Sequence, residues 1–164
     1  MTQPAADMSL SVRLVTACVL ALTAGILMAA LFRRSLPLMG MGTFLAAASL
    51  ACYLLAPARY ELSDGKLTVC FRLGRFRYAQ VTHCAPLRDV YRSWSLIRSL
   101  RLFGNGGLFA ATGFFWNRRL GIFRAFVTSA RPDDLLLVET DTARKIVISP
   151  RDPITFARAC AVNS

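Results

Sequence analysis

Two stretches of the chain show no polar periodicity. Leu14 to Phe32 is nineteen residues without a charge and Leu36 to Ala56 is twenty-one more, with Arg33, Arg34 and Ser35 between them. At about 1.5 Å of rise per helical residue, either run is long enough to cross the roughly 30 Å hydrocarbon core of a bilayer. A helix of a soluble bundle returns a polar residue about every 3.6 positions, whereas these runs are apolar all the way round. A cleavable leader fits poorly, because its apolar part is only about 7 to 15 residues and ends at a small-x-small site. The pattern predicts a transmembrane helical hairpin over residues 14–58, after an N-terminal tail of residues 1–13. Ala17, Ala21, Gly25 and Ala29 recur every four residues. They predict a low-bulk face for close contact with Gly42 and Ala46, or with Ala48, Cys52 and Ala56. Pro37 falls in the first turn of the second helix, where its missing N–H costs least.

Beyond the hairpin the period changes from none to two. Leu67, Val69, Phe71 and Leu73 alternate with Lys66, Thr68, Cys70 and Arg72, and Arg75-Phe76-Arg77-Tyr78 alternates again. This predicts half-buried antiparallel strands, joined by a hairpin at Leu73-Gly74 and preceded by the turn Ser63-Asp64-Gly65. Val81 to Val90, broken by Pro86, reads as a separate short or edge strand. The stretch from Tyr91 reads as a strand ending near Phe103, with Gly104-Asn105-Gly106-Gly107 breaking any regular element. Phe114-Phe115-Trp116, Asn117-Arg118-Arg119 and Leu120 to Val127 read as strand, turn, strand. Ala130 to Asp134 reads as a loop, and Leu135–Glu139 and Lys145–Ile148 as a last hairpin. Asp152 is placed to cap a C-terminal helix with Pro153 at its first position. The expected architecture is the helical hairpin plus a mainly β domain over residues 59–164, with about seven antiparallel strands and one closing helix.

Charge narrows the choice of partner. From Arg59 to Ser164 there are 17 Arg plus Lys and 8 Asp plus Glu, a balance of 17 − 8 = +9. Held beside a membrane, such a domain is drawn to anionic lipid at about 1 kcal/mol per basic residue near the surface. Lys66, Arg72, Arg75, Arg77, Arg118 and Arg119 are the candidate contacts for anionic lipid or another partner. The basic residues are spread over every segment with no clustered run, so nucleic acid is not the expected partner.

The same inventory argues against catalysis. No G-x-S-x-G or H-E-x-x-H occurs, and the sole histidine, His83, has no evident nucleophile to activate. Cys18, Cys52, Cys70, Cys84 and Cys160 form no C-x-x-C, so neither a zinc site nor a disulfide framework is expected, and no catalytic residue, cofactor or metal. Unpaired thiols suit a reducing compartment. They place the domain on the cytoplasmic side of the inner or plasma membrane, although the flanking arginines are nearly balanced between the two orientations.

Several segments together resemble the bacterial pleckstrin-homology (PH)-like domain family. They are Leu102-Phe103-Gly104-Asn105-Gly106-Gly107-Leu108-Phe109, Gly113-Phe114-Phe115-Trp116-Asn117, Leu120-Gly121, Phe123-Arg124-Ala125-Phe126-Val127-Thr128, and Val147-Ile148-Ser149-Pro150-Arg151-Asp152-Pro153 with Phe156. The resemblance covers the domain and not the hairpin. It implies a PH-like split barrel capped by its C-terminal helix, and a binding or scaffolding role instead of an enzymatic one. The expectation is an integral membrane protein with two spans that presents this module at the membrane surface to a protein or peptide partner. Recognition of anionic lipid by the basic face is the alternative.

Overall fold

The computed structural model describes residues 1–87, 99–106, 108–118 and 120–163. Helices α1 (Leu10–Arg33) and α2 (Leu36–Leu54) are both long and apolar enough to cross a membrane, and little of either is buried within the chain. Arg34 closes α1 in the left-handed conformation, with φ 49°. Its N–H and that of Ser35 return to Leu31 and Ala30, so the reversal takes only two residues.

The helices meet along a seam of seven-residue spacing. Thr23 and Ala30 are buried on α1, and Gly42 and Ser49 on α2, the repeat of a left-handed helix pair. A Cβ at Gly42 would stand 2.5 Å from Leu27 Cδ2. The four-residue stripe expected at this contact turns away instead: Ala17, Ala21 and Gly25 are exposed, and nothing lies within 4 Å of a Cβ built on Gly25. Close approach is set by the one glycine on α2 that receives a leucine, not by the low bulk of α1. Thr23 satisfies its own hydroxyl by donating to the Val19 carbonyl.

The rest of the chain is a mostly-strand open sheet with one closing helix, the expected plan. The strands are β1 (Thr2–Pro4), β2 (Pro57–Ser63), β3 (Lys66–Phe71), β4 (Arg75–Pro86), β5 (Leu100–Gly106), β6 (Ala111–Asn117), β7 (Gly121–Val127), β8 (Leu136–Thr140) and β9 (Lys145–Ile148). Their order in the sheet is β1-β2-β3-β4-β8-β9-β7-β6-β5. Among the described residues there are thus nine strands where about seven were expected, and β7 pairs with β9 in parallel. The parallel pair arises because the chain leaves β7, turns at Pro132–Asp134 and enters the sheet one place further on as β8. It then folds back as β9 into the gap.

Three local expectations are corrected. The segment from Val81 is not a separate strand: β4 runs from Arg75 through Pro86, pairing first with β3 and then with β8, with an irregularity at Val81/His83. Residues 88–90 of that segment, and 91–98 of the strand expected from Tyr91 to Phe103, lie outside the described residues. Its remainder belongs to β5, which continues through Gly104, Asn105 and Gly106 instead of breaking there. Finally, the N-terminal segment is more than a tail. Thr2, Gln3 and Pro4 pair with Glu61, Tyr60 and Arg59, and α1 starts at Leu10, before the first uncharged residue of the span. The helical hairpin is therefore inserted between two neighbouring strands of the sheet.

Turn chemistry explains the tightest connection. Asp64 and Gly65 both have positive φ, 51° and 70°, the geometry that matches the twist of a two-residue hairpin. The C-terminal helix, α3 (Pro153–Asn163), begins as expected. Asp152 accepts the Thr155 N–H at 3.0 Å and the Thr155 hydroxyl at 2.6 Å, and these bonds hold its carboxyl below the ordinary carboxylate range.

The two faces of the sheet bury separate clusters. One packs Tyr60, Leu67, Val69, Phe126, Val138 and Ile148 against Phe156 and Cys160 of α3. The other gathers Leu87, Phe115, Leu120, Phe123, Val127, Leu135 and Val147. The wholly buried Tyr60 hydroxyl donates to the Phe126 carbonyl at 2.6 Å and receives the Ser149 N–H at 3.4 Å. Burial pushes its pKa up to about 12.

Candidate functional site

The domain is tied to the hairpin at several points. Ser9 leaves its own helix uncapped, and its hydroxyl receives the Ala130 N–H at 3.3 Å. The Phe109 N–H donates to Thr16 Oγ1 at 3.0 Å, and the Phe109 ring meets Tyr53 edge-on, with centroids 5.2 Å apart. The Arg72 guanidinium lies 4.3 Å from the centre of the same Tyr53 ring, and the Leu73 N–H donates to the Leu54 carbonyl. Just ahead of α1 the Ala6 N–H donates to the Ser149 carbonyl, and the Thr128 hydroxyl to the Ala6 carbonyl. These bonds define the end of the sheet that faces the hairpin.

Helix α3 covers only part of its face. On the same side of β5, β6 and β7 no element among the described residues lies over the strands, and two cross-strand rows are left there. One is Phe103, Phe114 and Arg124; the other is Leu100, Trp116 and Ile122. Phe103 is 78% exposed, Ile122 63% and Leu100 62%. The alternation of β6 requires this: Phe115 points into the second cluster, so Phe114 and Trp116 must point away from it. A contiguous apolar surface of this kind on a small domain marks a place where something docks.

Arg124 stands where the covered and uncovered parts of that face meet. Its guanidinium carbon is 4.9 Å from the ring centre of Phe126, 5.2 Å from Phe114, 5.7 Å from Phe76 and 5.8 Å from Tyr78. Cation–π attraction to four rings from three strands holds the charge at the edge of the core. Beside it opens a cavity of about 370 Å³ whose lining includes Tyr78, Phe114, Ile122, Arg124, Arg144 and Lys145. The Tyr78 hydroxyl and Arg124 Nε are both buried, the phenol lies within reach of the guanidinium, and no hydrogen bond of good geometry satisfies either atom. Burial pushes the Tyr78 hydroxyl up to about 12, against the lowering pull of the Arg124 and Arg144 charges.

Of the six basic residues expected to form one face, the side chains of Lys66, Arg72, Arg75 and Arg118 are described. Lys66 and Arg72 stand at opposite ends of β3, about 20 Å apart along the strand. Arg72 and Arg75 flank the β3–β4 turn beside α2, with Arg72 engaged on Tyr53. Arg77 pairs through its backbone with Thr68. Arg118 is exposed in the turn after β6, and Arg119 lies outside the described residues.

Two groupings escaped the sequence reading. Arg124 looks like one more outward arginine on a strand, and only the parallel placement of β9 and the curl of β4 surround it with rings and charges. Arg13, Arg131 and Arg151 line a cleft of about 500 Å³ together with Asp7 and Asp134, at the first turn of α1. They are 20 to 138 residues apart in sequence, so no run of charge announces them.

Residues 58–163 match the model of a family described as bacterial PH domain. No curated protein and no solved structure matches the chain.

Proposed function

The chain belongs to the bacterial PH domain family, and on that premise we propose that it is a membrane-anchored binding module whose partner is a protein, engaged as an extended segment. The helical hairpin spans the inner or plasma membrane twice and leaves the domain on the cytoplasmic side. The module binds and does not catalyse. The observation that carries this reading is the uncovered apolar face of Leu100, Phe103, Phe114, Trp116 and Ile122. It lies beside β5, the last strand in the sheet order among the described residues. An extended segment laid across these rows places alternate side chains against them. Protein is favoured over the lipid of the same bilayer because the row ending in Ile122 is remote from the hairpin. Thr128 is bonded to Ala6 at the hairpin end, and Ile122 lies six residues away, about 20 Å along the strand.

The test uses the full chain in nanodiscs of zwitterionic lipid, panned against a displayed library of random decapeptides. The expected outcome is enrichment of apolar-alternating sequences whose binding is lost in the Phe103→Ser, Ile122→Ser double variant. That binding should persist when Lys66, Arg75 and Arg118 are changed to Ala. Failure to enrich any sequence, or binding indifferent to the double variant, overturns the reading.

One observation favours anionic lipid as a second reading. The cleft of Arg13, Arg131 and Arg151 sits beside the first turn of α1, where lipid phosphates would lie, although Asp7 and Asp134 offset part of its charge. Retention of co-purifying anionic lipid by the wild type and its loss in the Arg131→Ala, Arg151→Ala variant would support that second site.

A further inference from the structure

The cavity at the border of the apolar face holds two buried polar atoms that no hydrogen bond of good geometry satisfies, Arg124 Nε and the Tyr78 hydroxyl. A poorly satisfied hydrogen-bonding group is costly to bury, so a native fold that keeps two of them side by side calls for an explanation. Both groups can donate: the guanidinium Nε–H always, and the phenol for as long as it stays neutral. Their surroundings are cationic. Arg144 and Lys145 line the same cavity, and no carboxylate is among its described lining residues. The groups described around the Arg124 guanidinium are aromatic rings. The remaining walls, Phe114, Ile122 and Ile146, are apolar.

We propose that this cavity is a carboxylate-receiving subsite, filled by an acidic residue that has an apolar neighbour in the segment docked on the adjoining face. A carboxylate brings two acceptor oxygens and a negative charge to two donors and three cations, while the apolar walls take the neighbouring side chain. The inference rests on the protein-partner reading for the identity of the ligand, but the cavity's chemistry is independent of it. Phosphate shares the charge and the oxygens, and membrane lipid is a poorer source because the cavity is away from the hairpin end. Arg124 is four residues, about 13 Å of strand, beyond Thr128.

The experiment titrates the full chain in zwitterionic nanodiscs with 3-phenylpropionate, with its neutral amide, and with inorganic phosphate. The Nε–H resonance of Arg124 is followed by NMR. The carboxylate should bind saturably and shift that resonance, and the amide should bind at least tenfold more weakly. Tyr78→Phe removes only a poorly satisfied oxygen, so its thermal unfolding should match that of the wild type, yet it should lose affinity about tenfold or more. Arg124→Lys should lose still more. Equal binding of acid and amide, affinity unchanged in Tyr78→Phe, or phosphate binding in preference to the carboxylate each overturns the subsite. Should the acid bind as expected while panning enriches no peptide, the subsite stands and the protein-partner reading falls. Should peptides bind with no dependence on Tyr78 or Arg124, the reverse holds.

Discussion

Gly104 and Gly113 stand face to face across β5 and β6, so close that a Cβ on Gly104 would lie 2.2 Å from the Thr112 carbonyl and one on Gly113 2.1 Å from the Phe103 carbonyl. Both adopt positive φ, 117° and 136°. Backbone atoms cannot swing aside as a side-chain tip can, so Gly104→Ala should cost on the order of 3 kcal/mol or unpair the two strands. Gly25→Ala, where nothing lies within 4 Å, should be silent. Thermal unfolding of both variants in the same detergent checks the contrast.

Tyr60→Phe should destabilise the domain by about 1–2 kcal/mol, because the Phe126 carbonyl loses its buried donor. It should also change the alkaline limb of the stability curve. In the fold the hydroxyl holds its proton up to about pH 12, whereas the unfolded chain releases it near the ordinary value of 10.0. Unfolding therefore releases a proton between those values, and stability present below pH 10 is lost toward pH 12 at about 1.4 kcal/mol per pH unit. Denaturant titrations at pH 9, 10 and 11 should show this component of the slope in the wild type and not in the variant.

Because β1 precedes the hairpin and pairs with β2 after it, Asp7 and Arg118 must share one side of the membrane. Single cysteines at these two positions, in a background freed of the native five, should both resist an impermeant thiol reagent in intact cells and both react after lysis. Labelling of one without the other would contradict the β1–β2 pairing. Labelling of both in intact cells would keep the pairing and move the domain outside.

The hairpin should be removable. The Ala5 N–H donates to the Ala58 carbonyl at 3.0 Å, so residue 6 can be joined to residue 57 by a linker of about four residues. This chain should be soluble and more stable than one starting at Arg59, which lacks β1 and the Thr128–Ala6 and Ala6–Ser149 bonds. Equal melting temperatures for the two would show that β1 contributes nothing.

Local rules made much of the fold legible. Ser63-Asp64-Gly65 specifies its turn and Asp152-Pro153 its helix start, since in both cases the deciding atoms are a few residues apart. The two uncharged runs specified the helices for the same reason. What stayed hidden depends on a distant partner. Thr2, Gln3 and Pro4 have no pattern of their own and become a strand only because β2, more than fifty residues later, offers an edge. Three glycines in four residues read as a break because the facing Gly113, which makes an extended path favourable, is not adjacent in sequence. The candidate site was the least legible part. Conspicuous arginines at turns were singled out, while Arg124 was unremarkable until β4, β6 and β7 placed four rings around it.

The insertion of the hairpin within the sheet also sets an order of events. β1 leaves the ribosome before either apolar helix, and its partner β2 only after both. If the hairpin spans the membrane as proposed, the sheet can reach its full width only when the two helices have gone in and come back to the side where they started. A chain whose second helix failed to return would leave β1 stranded across the bilayer and the β2 edge bare. On the proposed anchoring, completion of the domain reports that insertion has succeeded, and a mis-threaded copy would expose a raw strand edge to proteases.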